Sequence, residues 1–292
     1  PMKVAIYGQA YGPEVVAPVA TLLAELSKYR AEVCIEAEFA VLVGADAFGY
    51  PVFSMETGLD KSFDLMISIG GDGTILRATT FIRDLGIPIV GINTGRLGFL
   101  SIGKKEAVGE MLREFAEGRY HLVERSLVTA TVPGEVPGGH HLNFALNEIT
   151  VSRKDTTSMI TVETHLNGEY LTSYWADGLI IATPTGSTGY SLSCGGPVIM
   201  PTARSLVITP IAPHNLNARP LVISDDTQIT LRVSGRESQH LLSFDSRLVS
   251  VDNDTEIKVR KADFCIRMVE FSSESFLKTI RNKLLWGEDR RN

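Results

Sequence analysis

One short segment limits the fold of this 292-residue chain more than any other. Residues 65–69 form an apolar run, and the glycine-rich stretch 70–74, Gly-Gly-Asp-Gly-Thr, follows it directly. Residues 75–78 then begin a helical pattern. A strand that passes into a helix through a glycine turn is typical of the repeating unit of a parallel, doubly wound sheet.

The rest of the first 120 residues repeats this alternation. Apolar runs predict strands over 4–7, 33–35 and 87–92, and apolar side chains at helical spacing predict helices over 13–28 and 107–117. We therefore expect an α/β fold with a parallel sheet in this part of the chain.

The pattern changes near Tyr120. From there to about residue 270, short runs rich in Val, Ile and Thr are separated by Gly, Pro, Asn or Asp, which predicts mostly antiparallel strands. Asn167-Gly168 lies between two such runs and predicts a hairpin, because both residues tolerate a positive φ. A last helical pattern over 275–285, with Gly287 placed to end it, is expected to pack back on the first domain.

The composition narrows the possible functions. The chain is 44% hydrophobic, so it can bury a core, and its 28 basic against 34 acidic residues give a net charge of −6. That balance argues against nucleic acid or an anionic membrane as a partner. No apolar run reaches the roughly 18–20 residues of a membrane span. The cysteines, Cys34, Cys194 and Cys265, form no C-x-x-C pair, which suits a reducing cytoplasm and indicates no zinc knuckle.

The stretch 70–74 has the composition of a phosphate-binding loop. Glycines let backbone N–H groups come close to a phosphate, and the next helix adds the positive end of its dipole. Asp72 in such a loop suits a base, or a group that orients a hydroxyl nucleophile. A second interpretation is a tight turn in which Asp72 caps the helix. The loop is not a Walker A motif, because no Gly-Lys-Ser/Thr follows.

A second glycine-rich segment, residues 91–100, leaves the next strand along the chain. Because the carboxyl ends of parallel strands share one edge of a sheet, this segment is expected at the same edge as the first. The backbone around Asn93 and Gly95 is a candidate site, whereas Leu97 and Phe99 are predicted to lie in the core.

The longest polar segment, residues 183–193, follows an apolar strand predicted over 178–182. Its hydroxyls and glycines can bond ribose hydroxyls, a carboxamide or phosphates without adding net charge. Asn147-Glu148 opens another strand and suits either a ribose contact or a plain turn. Trp175 suits either stacking on a base or a place in the core. Residues 245–247, Asp-Ser-Arg, indicate a hairpin tip.

With these segments in this order, the chain resembles bacterial NAD kinases over nearly its whole length. The resemblance rests on 70–74, 93–99, Asn147-Glu148 and 177–196, of which the last block is the most specific. It implies a Rossmann-like domain over 1–120, with 272–292 packed back on it, and a β-sandwich domain over 121–271, the site lying between them. It also implies a cytoplasmic homodimer or homotetramer.

The activity that the resemblance implies is transfer of the γ-phosphate of ATP to the adenosine-ribose 2′-hydroxyl of NAD, giving NADP. A divalent metal, usually Mg²⁺, is implied as well, but no metal ligands can be assigned. Asp72 would be the base, Asn147 and Glu148 would hold the adenosine ribose, and Asp177 would contact the nicotinamide end. The other positions carried over as NAD contacts are Gly73, Arg77, Thr185, Thr188, Gly189, Tyr190, Ser191, Leu192, Ser193, Ala212 and Arg247. Those carried over as the phosphate loop are Gly70, Gly71, Gly73, Thr74 and Asn93.

The sequence departs from the family pattern at two positions. Gly189 stands where many members have Ala, and Trp175 stands where some have Arg, so Trp175 is left out of the predicted site. Two other functions stay open. One is a lipid kinase that shares the first loop, although the polar run 183–193 argues against it. The other is a non-catalytic NAD(P)-binding sensor, although an intact Asp72 argues against that.

Overall fold

A computed structural model describes residues 1–9, 12–134, 142–155 and 157–287 of the chain. The chain divides into two compact units. Unit 1 comprises Pro1–Glu124 together with the chain from Ile266 onward, and unit 2 comprises Arg125–Cys265. The domain borders predicted from the sequence, after residues 120 and 271, stay predictions.

Strands and helices alternate in unit 1, as the sequence predicts. The elements in chain order are β1 (Lys3–Gly8), α1 (Pro13–Lys28), β2 (Glu32–Glu36), α2 (Ala37–Leu42), β3 (Val52–Phe53), β4 (Leu65–Gly70), α3 (Asp72–Ile82), β5 (Ile89–Asn93), β6 (Gly103–Lys104) and α4 (Val108–Ala116). Strand β7 (Tyr120–Thr131) follows and leads into unit 2.

The strands of unit 1 form a parallel sheet in the order β3-β2-β1-β4-β5, with β6 paired to β5. All six residues of β4 are buried, as expected for a central parallel strand with both faces covered. Helix α1 begins with Pro13, which suits the first helical position, and buries Val15, Val19, Leu22 and Leu26 on one face. The carboxyl ends of β4 and β5 therefore lie side by side, with Gly70 paired to Asn93.

Unit 2 consists mainly of short strands. They are β8 (Phe144–Ala145), β9 (Glu148–Arg153), β10 (Ile160–Leu166), β11 (Glu169–Ala176), β12 (Gly178–Ala182), β13 (Ser205–Ile211), β14 (Leu221–Ser224), β15 (Ile229–Ser234), β16 (Gln239–Phe244), β17 (Arg247–Asp252) and the long β18 (Glu256–Phe271). The short helix α5 (Tyr190–Ser193) follows β12, and α6 (Phe276–Leu284) follows β18 as part of unit 1.

Two antiparallel sheets pack face to face in unit 2. One has the order β14-β13-β12-β9-β16-β17, and the other contains β11-β10-β15 with the start of β18. Residues from both sheets, among them Val162, Leu231, Val151 and Leu242, form one buried apolar cluster. The fold class predicted from the sequence, a Rossmann-like parallel sheet plus a mostly antiparallel β-sandwich, is confirmed.

Local details of the fold both confirm and correct the predictions. The hairpin at Asn167-Gly168 joins β10 to β11, with φ of 50° and 83° at the two turn residues. The strand predicted from residue 87 begins only at Ile89, because Pro88 has no N–H for the sheet. Gly287 does not end α6. Instead Leu285 takes a left-handed conformation with φ of 56°, and the Trp286 N–H closes the helix end on the Arg281 carbonyl.

Within the described ranges, no helix has the length and apolarity that a membrane span requires.

Candidate active site

The carboxylate of Asp72 is held by the backbone of the second glycine-rich segment. Oδ2 accepts the N–H of Phe99 at 2.8 Å, and Oδ1 accepts the N–H groups of Leu100 at 3.0 Å and Ser101 at 2.8 Å. Asp72 is the first residue of α3, and Gly71 is the capping position, without a side-chain cap. The interpretation of Asp72 as a helix cap is therefore wrong, because its side chain is turned to the neighbouring loop.

Residues 93–101, the clamp loop, are organised around Asn93. Its side-chain amide donates to the carbonyls of Arg96 and Ser101, and its oxygen accepts the Gly95 N–H at 2.8 Å. The Ser101 hydroxyl donates to the Gly70 carbonyl at 3.0 Å, so the clamp loop is bonded directly to the end of β4. Asn93, predicted for the phosphate loop, thus shapes the segment that holds Asp72.

The two apolar side chains of the clamp loop differ from their prediction. Leu97 is 36% exposed, so its predicted place in the core is wrong. Phe99 is partly buried, and the Lys283 ammonium of α6 lies 5.9 Å from its ring centroid.

The glycines predicted to form the phosphate loop differ in the space beside them. Gly70 has φ of 148°, and a Cβ there would press on the Thr74 side chain. A Cβ on Gly71 or Gly73 would meet nothing within 4 Å, so the space beside both is open. Arg77 lies exposed one turn into α3, hydrogen-bonded to the buried Tyr7 hydroxyl, whose pKa burial raises to about 12.

In unit 2 a second aspartate, Asp245, accepts three consecutive backbone N–H groups, as Asp72 does in unit 1. The carboxylate of Asp245 accepts the N–H groups of Leu146, Asn147 and Glu148 at 2.6, 2.8 and 3.1 Å. Asp245 sits in the tight turn between β16 and β17, with φ of 48°. The predicted hairpin tip is confirmed, and its aspartate fixes the start of β9.

Two buried oxygens at the start of β9 lack protein partners in the described part of the chain. They are Asn147 Oδ1 and Glu148 Oε2. Burial, and then the charge of Asp245, raise the pKa of Glu148 to about 8. Burial likewise raises the pKa of Asp245 to about 6, against the lowering effect of its three N–H donors and of Arg247. Folding thus favours the protonated form of Glu148 over its charged form.

The turn after β12 packs against the same residues. The Thr183 hydroxyl donates to the Leu146 carbonyl, and Gly186 lies so close to the Asn147 backbone that a Cβ would come 2.7 Å from its Cα. A Cβ on Gly189 would approach Asn147 Nδ2 at 3.3 Å and Glu148 Oε2 at 3.4 Å. An alanine at this position would thus be tight against Asn147 Nδ2 and in ordinary contact with Glu148 Oε2.

Further predicted residues lie along the same turn. Thr185 is buried and its hydroxyl accepts from Arg125 at 3.1 Å, whereas Thr188 is partly buried and donates to the Thr185 carbonyl. Tyr190 is 44% exposed, and its pKa is raised by burial and then by Cys194, Asp177 and Glu148. Leu192 is partly buried and Ser193 is exposed.

Some predicted residues have their polar groups engaged within unit 2. The Ser191 hydroxyl is buried and bonded to Thr209 at 2.7 Å. Arg247 donates to the carbonyls of Leu142 and Phe144, and Asp177 pairs with Arg153 at 3.3 Å. Ala212 is exposed with φ of 45°.

Trp175 does not lie in the core. It is 50% exposed, and its ring packs against His214 with centroids 4.3 Å apart. Of the two interpretations of this residue, burial in the core is therefore excluded.

The described residues contain no group of three or more His, Cys, Asp or Glu side chains that could hold a metal ion.

Sequence reasoning missed the hydrogen bonds that fix the Asp72 carboxylate and the backbone at the start of β9. The clamp on Asp72 consists of backbone N–H groups, which carry no sequence signal. The three hydrogen bonds that Asp245 accepts join residues that are separated by 97 to 99 positions in the chain. A carboxylate in a tight hairpin turn was the only signal for it.

These features define a class of protein. Unit 1 presents a glycine-rich loop with a fixed carboxylate at the carboxyl edge of a parallel sheet, where nucleotide phosphates bind in α/β folds. Unit 2 presents buried oxygens that suit the hydroxyls of a sugar. These two features are typical of a phosphotransferase that acts on nucleotides.

Comparisons with known proteins agree. Residues 22–120 match the model of the ATP-NAD kinase N-terminal domain, and residues 146–271 match that of the ATP-NAD kinase C-terminal domain. The chain is 56% identical over 294 aligned positions to an NAD kinase of Flavobacterium psychrophilum, with both chains covered completely. It belongs to the ATP-NAD kinase family, and it is an enzyme that uses ATP to phosphorylate NAD to NADP.

Solved structures agree in fold. The crystal structure of a yeast NADH kinase complexed with NADH superposes with a TM-score of 0.86 at 24% identity, covering 99% of this chain and 89% of the other. An NAD kinase from Archaeoglobus fulgidus in complex with ATP gives a TM-score of 0.74 at 29% identity, covering 97% and 99%.

Proposed function

We propose that this chain transfers the γ-phosphate of ATP to the adenosine-ribose 2′-hydroxyl of NAD, with Asp72 as the general base. The observation that carries the proposal is the fixed Asp72 carboxylate at the edge of the parallel sheet. A carboxylate offers about four lone-pair directions, and three of them are filled by backbone N–H groups. The remaining direction belongs to Oδ2, which can accept the proton of one hydroxyl.

Such a base fits the reaction. A ribose hydroxyl is a weak nucleophile, so it needs a positioned acceptor for its proton as it attacks phosphorus. Phosphoryl transfer otherwise depends on alignment and on neutralising charge at the γ-phosphate. The open space at Gly71 and Gly73 supports an approach of phosphate oxygens to this backbone, and Arg77 adds a positive charge one turn further along α3.

The acceptor nucleotide would be held by unit 2. Asn147 Oδ1 and Glu148 Oε2 are buried acceptors that lack partners within the described residues, and a buried oxygen without a donor is unfavourable by about 1–3 kcal/mol. The hydroxyls of the NAD adenosine ribose would supply those donors. Thr188, Gly189, Tyr190 and Ser193 would line the rest of the dinucleotide site, with Asp177 at its nicotinamide end.

A divalent metal, Mg²⁺ above all, is part of the proposal. The ion would be held mainly by ATP phosphate oxygens and water, since Mg²⁺ keeps several waters and binds substrate phosphates. When bound, the ion would neutralise charge on the transferred phosphate. We further propose a homodimer or homotetramer in the cytoplasm. Light scattering of the purified protein gives the first, and fractionation of cells gives the second.

A coupled assay of NADP formation tests the proposal. With NAD, ATP and Mg²⁺ present, the wild-type protein is expected to form NADP phosphorylated at the 2′-position, which NMR of the product identifies. Asp72→Asn should remove most of this turnover while calorimetry still detects NAD binding, because the amide cannot accept the proton. Normal turnover in that variant would contradict the role of Asp72 as base.

A further inference from the structure

Asp72→Asn alone cannot separate two roles of the side chain. An asparagine has one carbonyl oxygen and one NH₂ group. If the oxygen faces Leu100 and Ser101, the NH₂ group faces the N–H of Phe99, donor against donor. The variant therefore loses the base and disturbs the clamp loop at once.

We infer that Gly98 is a positioning residue for this reaction: its missing side chain is what allows the clamp loop to close on Asp72. This inference rests on the proposed role of Asp72 as base. A Cβ on Gly98 would lie 2.5 Å from Asp72 Cγ and 2.8 Å from Oδ2, and it would come nearer still to Oδ1. Real Cβ atoms essentially never approach other atoms that closely.

A left-handed backbone does not explain the glycine at position 98, because Gly98 is absent from the glycines of positive φ. The close approach of the Asp72 carboxylate is the constraint that remains. Since that carboxylate is also tied to the three residues after Gly98, it cannot give way without breaking those bonds.

The clamp loop determines which oxygen of the Asp72 carboxylate can accept the proton of the substrate hydroxyl. With the clamp closed, Oδ1 is engaged by two donors and Oδ2 keeps one acceptor direction, so a single oxygen faces the hydroxyl. A methyl group at position 98 would rotate or displace the carboxylate and release N–H groups from it. Misplacing a catalytic group by about 1 Å lowers the rate on the order of 100-fold.

Gly235 supplies a control in unit 2, outside the residues proposed for the site. It also lacks a positive φ, and a Cβ there would make ordinary contacts from 3.5 Å outward. Gly98→Ala is expected to lower kcat about 100-fold with little change in KM for NAD or ATP, whereas Gly235→Ala should retain wild-type kcat. Circular dichroism and melting curves of both variants report on their folding.

A second measurement does not depend on activity. If Gly98 is glycine only to make room for Asp72, then Gly98→Ala should lower Tm clearly in the wild-type background and scarcely at all in an Asp72→Ala background. This cycle also covers a Gly98→Ala variant too unstable to assay, because Asp72→Ala should then restore its folding.

The outcomes are distinct. Failure of the wild-type protein to form NADP would overturn the proposed function itself. With an active wild type, a Gly98→Ala variant of normal kcat would overturn the inference, and so would equal losses in Gly235→Ala and Gly98→Ala. An additive Tm cycle would overturn it as well. A selective loss of kcat at position 98 together with a non-additive cycle supports it.

Discussion

Two aspartates, Asp72 and Asp245, hold three consecutive backbone N–H groups each, one in either unit of the chain. Such charge-assisted bonds are stronger than neutral ones. They fix loops that otherwise have no regular pairing. At the scale of single residues, the candidate site therefore depends on short polar side chains that hold the loop backbone in place.

Glu148 yields a prediction about pH. Its ordinary pKa of 4.5 is raised to about 8 in the folded protein, so folding favours its protonated form. The stabilisation is complete below about pH 4.5 and is lost as the pH rises toward 8. Relative to Glu148→Gln, the free energy of unfolding of the wild type should fall across this window, with a slope of at most about 1.4 kcal/mol per pH unit.

Urea denaturation of both proteins between pH 5 and 8.5 measures this difference. The exposed Glu237 provides the control, since Glu237→Gln also removes one carboxylate and so separates the loss of a charge from the loss of the buried Glu148. Parallel wild-type and Glu148→Gln curves would mean that Glu148 ionises normally in the folded state.

Residue types predicted part of the site, and geometry explains the remainder. Asp72 stood out because a carboxylate within a glycine-rich loop suits a base, and Asn147 and Glu148, which also suit a plain turn, were added by the resemblance. Gly98 and the N–H groups of residues 99–101 did not stand out. Their role depends on which atoms β4 and β5 bring together, and no local pattern encodes that distance.

At the scale of elements, the segments with strong local signals matched the structure closely. Helix α1 has the predicted bounds, because Pro13 favours its start and apolar residues repeat at helical spacing. Strand β18 has 16 residues, whereas the sequence predicts only short strands in this part of the chain. Its later residues are mixed in polarity, so their pairing depends on partners distant in the chain.

The hairpin between β10 and β11 offers an element-scale prediction. Gly168 has φ of 83°, where a Cβ is unfavourable by roughly 1–2 kcal/mol. Gly168→Ala should lower the free energy of unfolding by about that amount in urea denaturation. Gly235→Ala is the control, because Gly235 lacks a positive φ and its added Cβ would make ordinary contacts from 3.5 Å outward. Equal losses in the two variants would contradict a conformational cause.

At the scale of the whole molecule, the sequence predicted two kinds of architecture in one chain, and the structure has both. The alternation of strands and helices before Tyr120, and the short β-rich runs after it, each follow from local periodicity. That the chain returns to unit 1 from Ile266 onward was anticipated only through the final amphipathic helix. The exact point of return depends on β18 and had no local signal.

Removing the metal tests whether the activity of the whole protein, and not its folding, depends on a bound cation. The proposed metal would act at the ATP phosphates, which need a cation for transfer, so we expect its removal to affect turnover and not folding. EDTA should therefore abolish NADP formation and excess Mg²⁺ should restore it, while the Tm measured without nucleotide stays the same in both conditions. A fall in Tm on chelation would instead reveal a structural metal and contradict this expectation.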